Sequence, residues 1–131
     1  MTTILVDHNI EGQAALLLGT YLEEGWADLS PVRFVTFQEV GLIPKSSDRV
    51  VWRFAQAHEM VLLTNNRNMR GQDSLEQTLR EENTPTALPV LTIGNIERIV
   101  ERAYRARCAA RLAEVIYELE QSRGVSRLFI P

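Results

Sequence analysis

The strongest constraint on this chain is an alternation between two hydrophobic periods. Short apolar runs rich in branched side chains, TILVD (residues 3–7), VRFVTF (32–37), VLL (61–63) and LPVLTI (88–93), are separated by segments whose apolar residues recur every three or four positions. Runs of the first kind read as buried strands and segments of the second as amphipathic helices. Ile10, Ala14, Leu17, Leu18, Tyr21 and Leu22 predict a first helix that stops near Gly25, and Asp28, Ser30 and Pro31 predict a turn. Val50, Val51, Phe54 and Ala55 predict a second helix with Asp48 in its first turn. Residues 73–82 form a polar, mostly exposed helix on this reading. Ile96, Ile99, Val100, Ala103, Leu112, Val115, Ile116 and Leu119 predict one long amphipathic helix over about residues 95–120. The tail SRLFIP reads as an edge strand ended by Pro131. Strands alternating with helices imply right-handed crossovers and a three-layer α/β/α fold around a mostly parallel sheet.

A length of 131 residues suits one domain, and 45% hydrophobic residues suffice for its core. No apolar run is long enough to cross a membrane, and MTTILVDHN lacks the basic flank and apolar stretch of a signal peptide. The expectation is a soluble cytoplasmic protein with no membrane partner. The single cysteine, Cys108, sits at a helical core position and has no partner for a disulfide or a zinc site. A net charge of −3 excludes a whole-surface grip on nucleic acid but permits a local basic patch. Between residues 45 and 70 the bases Lys45, Arg49, Arg53, Arg67 and Arg70 outnumber the acids Asp48 and Glu59 by three. Lys45, Arg49, Arg67 and Arg70 are thus candidate phosphate ligands, although Arg49 and Arg53 also fit the solvated face of one helix.

Ligands of parallel sheets bind beyond the carboxyl ends of the strands, where loops and helix N-termini meet. Asp7 closes the first strand and Asn65, Asn66 and Asn68 follow the third, so neighbouring strands would bring them to one rim. The helix that Asp48 opens would start at the same rim. A hard cation takes oxygen ligands, and one or two carboxylates with water are its minimum. Each residue also has a plain structural reading. Asp48 stabilises its helix dipole, asparagines suit left-handed turns, and His8 fits a hydrogen-bonding residue of the rim as well as an acid–base group. Asp7 is harder to place without a role, since a carboxylate ending an apolar strand must find solvent, a partner or a metal.

The order of motifs, a strand ending in ILVD, a helix opened by SD and a strand ending in TNNRN, resembles that of PIN-like domains over about residues 3–93. The chain looks like the short stand-alone bacterial PIN-like proteins and, more distantly, like toxin ribonucleases. The resemblance implies a ribonuclease dependent on magnesium or manganese, with Asp7 as the first acid and Asp48 as the helix acid, together holding metal that activates water. It also implies a third motif of the form T-N-D-x-D, and here Asn66 and Asn68 stand where its two acids would be. Each replacement keeps an oxygen but removes a charge, which leaves a one-metal site and rules against a two-metal clamp. Asp73, Glu76 and Glu39 are the acids that loops would have to bring in as substitutes.

The expected function is a PIN-like nuclease fold with a depleted acidic metal site, acting as a weak metal-dependent ribonuclease or as a non-cleaving RNA-binding descendant. A second expectation is a non-catalytic interaction module whose TNNRN loop and basic helix bind a protein partner or nucleic acid. A third is phosphoryl chemistry of the haloacid-dehalogenase or receiver type. Against it, Asn9 replaces the second acid of a D-x-D motif, and only MTT precedes the first strand. A homodimer is expected if Tyr104, Cys108, Leu112, Val115 and Leu119 cover a second copy as well as the sheet.

Overall fold

A computed structural model describes residues 1–67 and 71–131. Five strands, β1 (Thr2–Val6), β2 (Val32–Val35), β3 (Val61–Thr64), β4 (Val90–Ile93) and β5 (Arg127–Ile130), form one parallel sheet in the order β2-β1-β3-β4-β5. Among the described residues, six α-helices flank it: α1 (Glu11–Glu23), α2 (Trp26–Leu29), α3 (Phe37–Val40), α4 (Asp48–Ala57), α5 (Leu75–Glu82) and α6 (Arg102–Tyr117). The three-layer α/β/α architecture is as the alternation of periods predicts. Among the described residues, no helix is long and apolar enough to cross a membrane.

The pleat sends alternate residues to two cores. Ile4, Val6, Val61, Leu63, Leu91, Ile93 and Ile130 face α1 and α6, whereas Leu5, Val35, Leu62 and Val90 face α4 and α5. Because Leu63 and Val6 point to the first face, the residues next to them, Thr64 and Asp7, are offered to the second. Helices α4 and α5 lie in the connections that leave β2 and β3, so both begin at the carboxyl end of the sheet on that second face.

The path of the chain departs from the expected handedness at one point. The step from β1 to β2 runs one way along the sheet with α1 on the first face, and the steps β2 to β3 and β3 to β4 run the other way with α4 and α5 on the second. The step from β4 to β5 continues in that direction, yet α6 packs on the first face beside α1. This last crossover therefore has the opposite hand from the three before it. Burial explains the choice: α1 alone cannot cover the first face, and Tyr104, Cys108, Ala109, Leu112, Ala113 and Val115 of α6 fill what it leaves.

Several local expectations also change. The predicted long helix is three pieces: a 3-10 segment Ile96–Val100, α6, and a second 3-10 segment Leu119–Ser122. Glu101 breaks the first junction with an extended backbone (φ −80°, ψ 122°). Arg105 reaches back across the break, donating to the carbonyls of Ile99 and Val100 and, at 2.6 Å, to Thr20 Oγ1 of α1. At the other end of the turn, the Tyr104 hydroxyl donates to the Pro131 carbonyl and accepts from Asn95 N at 2.9 Å. The first half of the turn predicted at residues 28–31 belongs to α2, which starts after Gly25 in a left-handed conformation (φ 82°). Phe37 leaves its strand to open α3, because Thr36 and Glu39 form a reciprocal capping box. Helix α5 is only partly exposed, since Leu75, Thr78 and Leu79 are buried. Tyr104, Cys108, Leu112 and Val115, named as able to cover a second copy, are buried within the chain, and Leu119 is partly buried against the same core. Burial pushes the Cys108 thiol up to about 11, in keeping with an inert core residue.

Candidate functional site

Strand order reverses between β1 and β3, where the crossovers leave in opposite directions, and in open α/β sheets such a point opens a crevice. A pocket of about 350 Å³ lies there, beyond the carboxyl ends of the two strands. Asp7, Asp48, Thr64, Asn65 and Asn66 all line it, over a floor that includes Leu62 and Val51. The sequence-level expectation that Asp7, Asp48 and the asparagine cluster share one rim is met for these residues. Asn68 and Arg70 lie outside the described residues.

Each carboxylate is held by fixed donors. Asp7 sits on the pair β1–β3, its own N–H bonded to the Leu63 carbonyl at 2.9 Å. Its Oδ2 accepts from Thr64 Oγ1 at 2.6 Å, and its Oδ1 accepts from Asn9 N at 3.1 Å, which caps the short 3-10 turn His8–Ile10. Asp48 is the first residue of α4, after Ser47 caps that helix through Val50 N. Its Oδ2 accepts from Leu75 N at 2.9 Å, at the start of α5, and from Asn66 Nδ2 at 2.8 Å.

Thr64 and Asn66 link the two acids. Asn66 N donates to Thr64 Oγ1 at 2.9 Å while that hydroxyl donates onward to Asp7, and the Asn66 side chain reaches Asp48. The backbone carbonyl of Asn66 accepts from Arg127 Nη1 at 2.8 Å. Arg127 also donates to Thr92 Oγ1 at 2.6 Å and faces Glu76 at 3.4 Å. Asn66 is thus anchored at its N–H, its carbonyl and its amide, and the amide sits where an acid at this position would set a second negative charge against Asp48.

The remaining candidates are distributed differently. His8 does not line the pocket: it is exposed, pairs with Glu11 at 3.2 Å and lies 6.0 Å from the Phe37 ring. Lys45 is exposed between Pro44 and Ser46, which do line the pocket. Arg49 turns away from it, with a side chain only 13% exposed, to meet Asp73 at 3.0 Å, the Gln72 carbonyl at 2.6 Å, Glu81 at 2.5 Å and Glu82. These acceptors raise its pKa further and tie α4 to α5. Arg53 joins through Glu82 at 2.7 Å. Arg67 is exposed on the same rim, nearer β4. The acids named as substitutes are engaged elsewhere: Asp73 with Arg49, Glu76 with Arg127, and Glu39 in the cap of α3.

Among the described residues, no group of three or more acid, histidine or cysteine side chains is gathered for a metal, and no lysine or arginine lines the acidic pocket. Two carboxylates with neutral oxygens from Thr64 and the asparagines meet the minimum for one hard cation. Thr64 was legible as part of TNNRN. Arg127 and the Leu75 N–H were not, since a base on an edge strand and a helical amide carry no local signal. Neither a protein-family model, nor a curated protein, nor a solved structure matches the chain.

Proposed function

We propose that the chain is a PIN-like nuclease-fold protein whose acidic pocket takes a single magnesium or manganese ion on Asp7 and Asp48 and hydrolyses RNA phosphodiesters weakly. The observation that carries this reading is the convergence of the two carboxylates on one pocket with no described basic side chain in its wall. Such a pair attracts a hard divalent cation and, without one, repels phosphate. A bound cation supplies charge neutralisation at the phosphoryl group and activates water. Thr64 and the Asn9 N–H orient Asp7, while Asn66 and the Leu75 N–H orient Asp48, so neither acid has to be organised when the ion arrives. One ion rather than two is the reading because Asn66 contributes an amide to this pocket in place of a carboxylate.

A non-cleaving RNA-binding descendant is the nearer alternative, and it fits less well because the pocket offers phosphate no cation of its own among the described residues. The strand order 2-1-3-4-5 is that of receiver-type doubly wound proteins. The resemblance stops at the strand order, since the last crossover has the opposite hand and β3 runs into Asn65 with no carboxylate to accept a phosphoryl group.

Calorimetric titration with manganese, run beside an RNA-cleavage assay, tests the proposal. One manganese per chain and metal-dependent cleavage are expected, both abolished in Asp7→Asn. Binding without cleavage selects the non-cleaving descendant. The absence of manganese binding overturns the metal site and leaves the protein-interaction module.

A further inference from the structure

The reversed last crossover leaves a second feature that the acidic pocket does not use. With α6 on the first face, the residues β5 turns to the second, Arg127 and Phe129, lie beside Glu76 of α5, and Arg127 also bonds the Asn66 carbonyl and Thr92 Oγ1. They form a hollow of about 300 Å³ together with Arg67, Glu76 and Ser126. Phe129 is 48% exposed there, a large aromatic side chain left open on an edge strand. Arg67 makes no ion pair or hydrogen bond among the described residues, and Glu76 and Glu97 line the depressions it shares with them. Arg127 adds a nearly buried guanidinium, partly offset by Glu76 at 3.4 Å.

Shared wall residues link this hollow to the acidic pocket. A third, shallow depression above β4, containing Gly94 and Asn95, shares Asn65 with the acidic pocket and Arg67 with the hollow at β5. The trough crosses β1, β3, β4 and β5 in turn, roughly 14 Å at about 4.8 Å per strand. That is the reach of a few nucleotides.

The geometry points to a nucleotide subsite at β5: the hollow takes one base of a single-stranded RNA against the Phe129 ring and a neighbouring phosphate on Arg67, while the strand continues along the trough to Asp7 and Asp48. A polyanion is the fitting occupant because the hollow sets Arg67 and Arg127 against Glu76 alone, whereas the far end holds Asp7 and Asp48, with Glu97 on the depression between them. Single-strandedness follows from Phe129, since only an unstacked base presents its face to an aromatic side chain. The inference rests on the reading of RNA as the substrate and extends it to how the substrate is held away from the metal site.

The test is fluorescence anisotropy with the full chain, a short labelled oligoadenylate, and the same oligonucleotide annealed to its complement, in buffer containing EDTA. Phe129→Ala is expected to weaken binding of the single strand about tenfold. Phe129→Trp should retain it. Arg67→Gln should weaken binding and lower its salt dependence by about one phosphate contact. The duplex should bind less well than the single strand. Phe129 is half exposed, so the variants are expected to fold, and circular dichroism and a melting curve confirm that they have. Wild-type affinity in Phe129→Ala, equal affinity for the duplex, or no binding of the oligonucleotide each overturns the subsite. EDTA separates the two proposals: a failed metal site appears as absent manganese heat with Phe129-dependent RNA binding intact, and a failed subsite leaves manganese binding of the wild type unchanged.

Discussion

Restoring an acid at residue 66 should turn the amide bridge of the pocket into a repulsion that only a cation can relieve. In the wild type, Asn66 Nδ2 lies 2.8 Å from Asp48 Oδ2. In Asn66→Asp two carboxylates face each other at that place. At an effective dielectric of about 20, unit charges about 4 Å apart repel by about 4 kcal/mol. The lost hydrogen bond to a charged acceptor adds about 1.5–3 kcal/mol. An upper limit exists, because protonating one of the two acids restores a bridging hydrogen bond, and bringing a carboxyl of ordinary pKa to its neutral form at pH 7 costs about 4 kcal/mol. Asp48 is only half buried, so solvent lowers the penalty further, and about 2–4 kcal/mol is expected in EDTA at pH 7. For a domain of this size that corresponds to a fall in Tm of roughly 8–16 °C. The sign with pH follows from the direction of the shift. Repulsion raises the folded-state pKa of the pair above its unfolded value, so the penalty is absent below about pH 4 and grows as pH rises towards 7. Manganese should recover the lost stability and bind more tightly than it does to the wild type. Urea unfolding at pH 7 and pH 4, with EDTA or manganese, measures all of this. An Asn66→Asp variant as stable as the wild type in EDTA at pH 7, or one whose loss persists at pH 4, would refute the view that the amide stands in for positive charge.

Two further outcomes concern the frame of the site. Arg49→Met should lower Tm at pH 7 by several degrees, because its guanidinium joins α4 to Asp73, Glu81 and Glu82. Arg49 chiefly holds the Glu81 carboxyl below its ordinary range, and Arg53 followed by Arg49 does the same for Glu82. Depressed carboxyl pKa values stabilise the fold above the unfolded value near 4.5, and that contribution is lost as pH falls through the folded values. The gap between Arg49→Met and wild type should therefore close on acidification in a series of melting curves, and a constant gap would show that lost packing is responsible. Gly94→Ala should cost about 1–3 kcal/mol in urea unfolding, because the new Cβ would stand 2.6 Å from the Pro131 carbonyl oxygen that Gly94 N and the Tyr104 hydroxyl both bond. Unchanged stability would mean that the last residue yields without loss.

The parallel three-layer fold was legible in the chain because period and burial are local properties: VLL and LPVLTI have no polar face to show water, and α4 repeats Val51 and Ala55 on one side. The convergence of Asp7, Asp48 and Asn66 was legible in outline, since each lies at a strand end or a helix start and parallel sheets collect those at one edge. The break at Glu101 was not, because Arg105 satisfies the carbonyls on the far side of it and no residue of the 96–101 segment announces a stop. Nor was the fate of Arg49, which looked like a phosphate ligand until α5 and the turn before it brought three carboxylates against it.

The sequence by itself determined where strands and helices lie and which ends of them carry polar side chains, since period, capping and turn chemistry act over a few residues. Only the tertiary structure decided which of those side chains meet. The bridge from Asp7 through Thr64 and Asn66 to Asp48 joins residues from β1, β3 and α4, and Arg127 reaches the same turn from β5. The hand of the last crossover was decided in the same way. It depends on the area of sheet that α1 leaves uncovered, a quantity that exists only once the layers have packed, and it is what leaves Phe129 open to solvent beside Arg67.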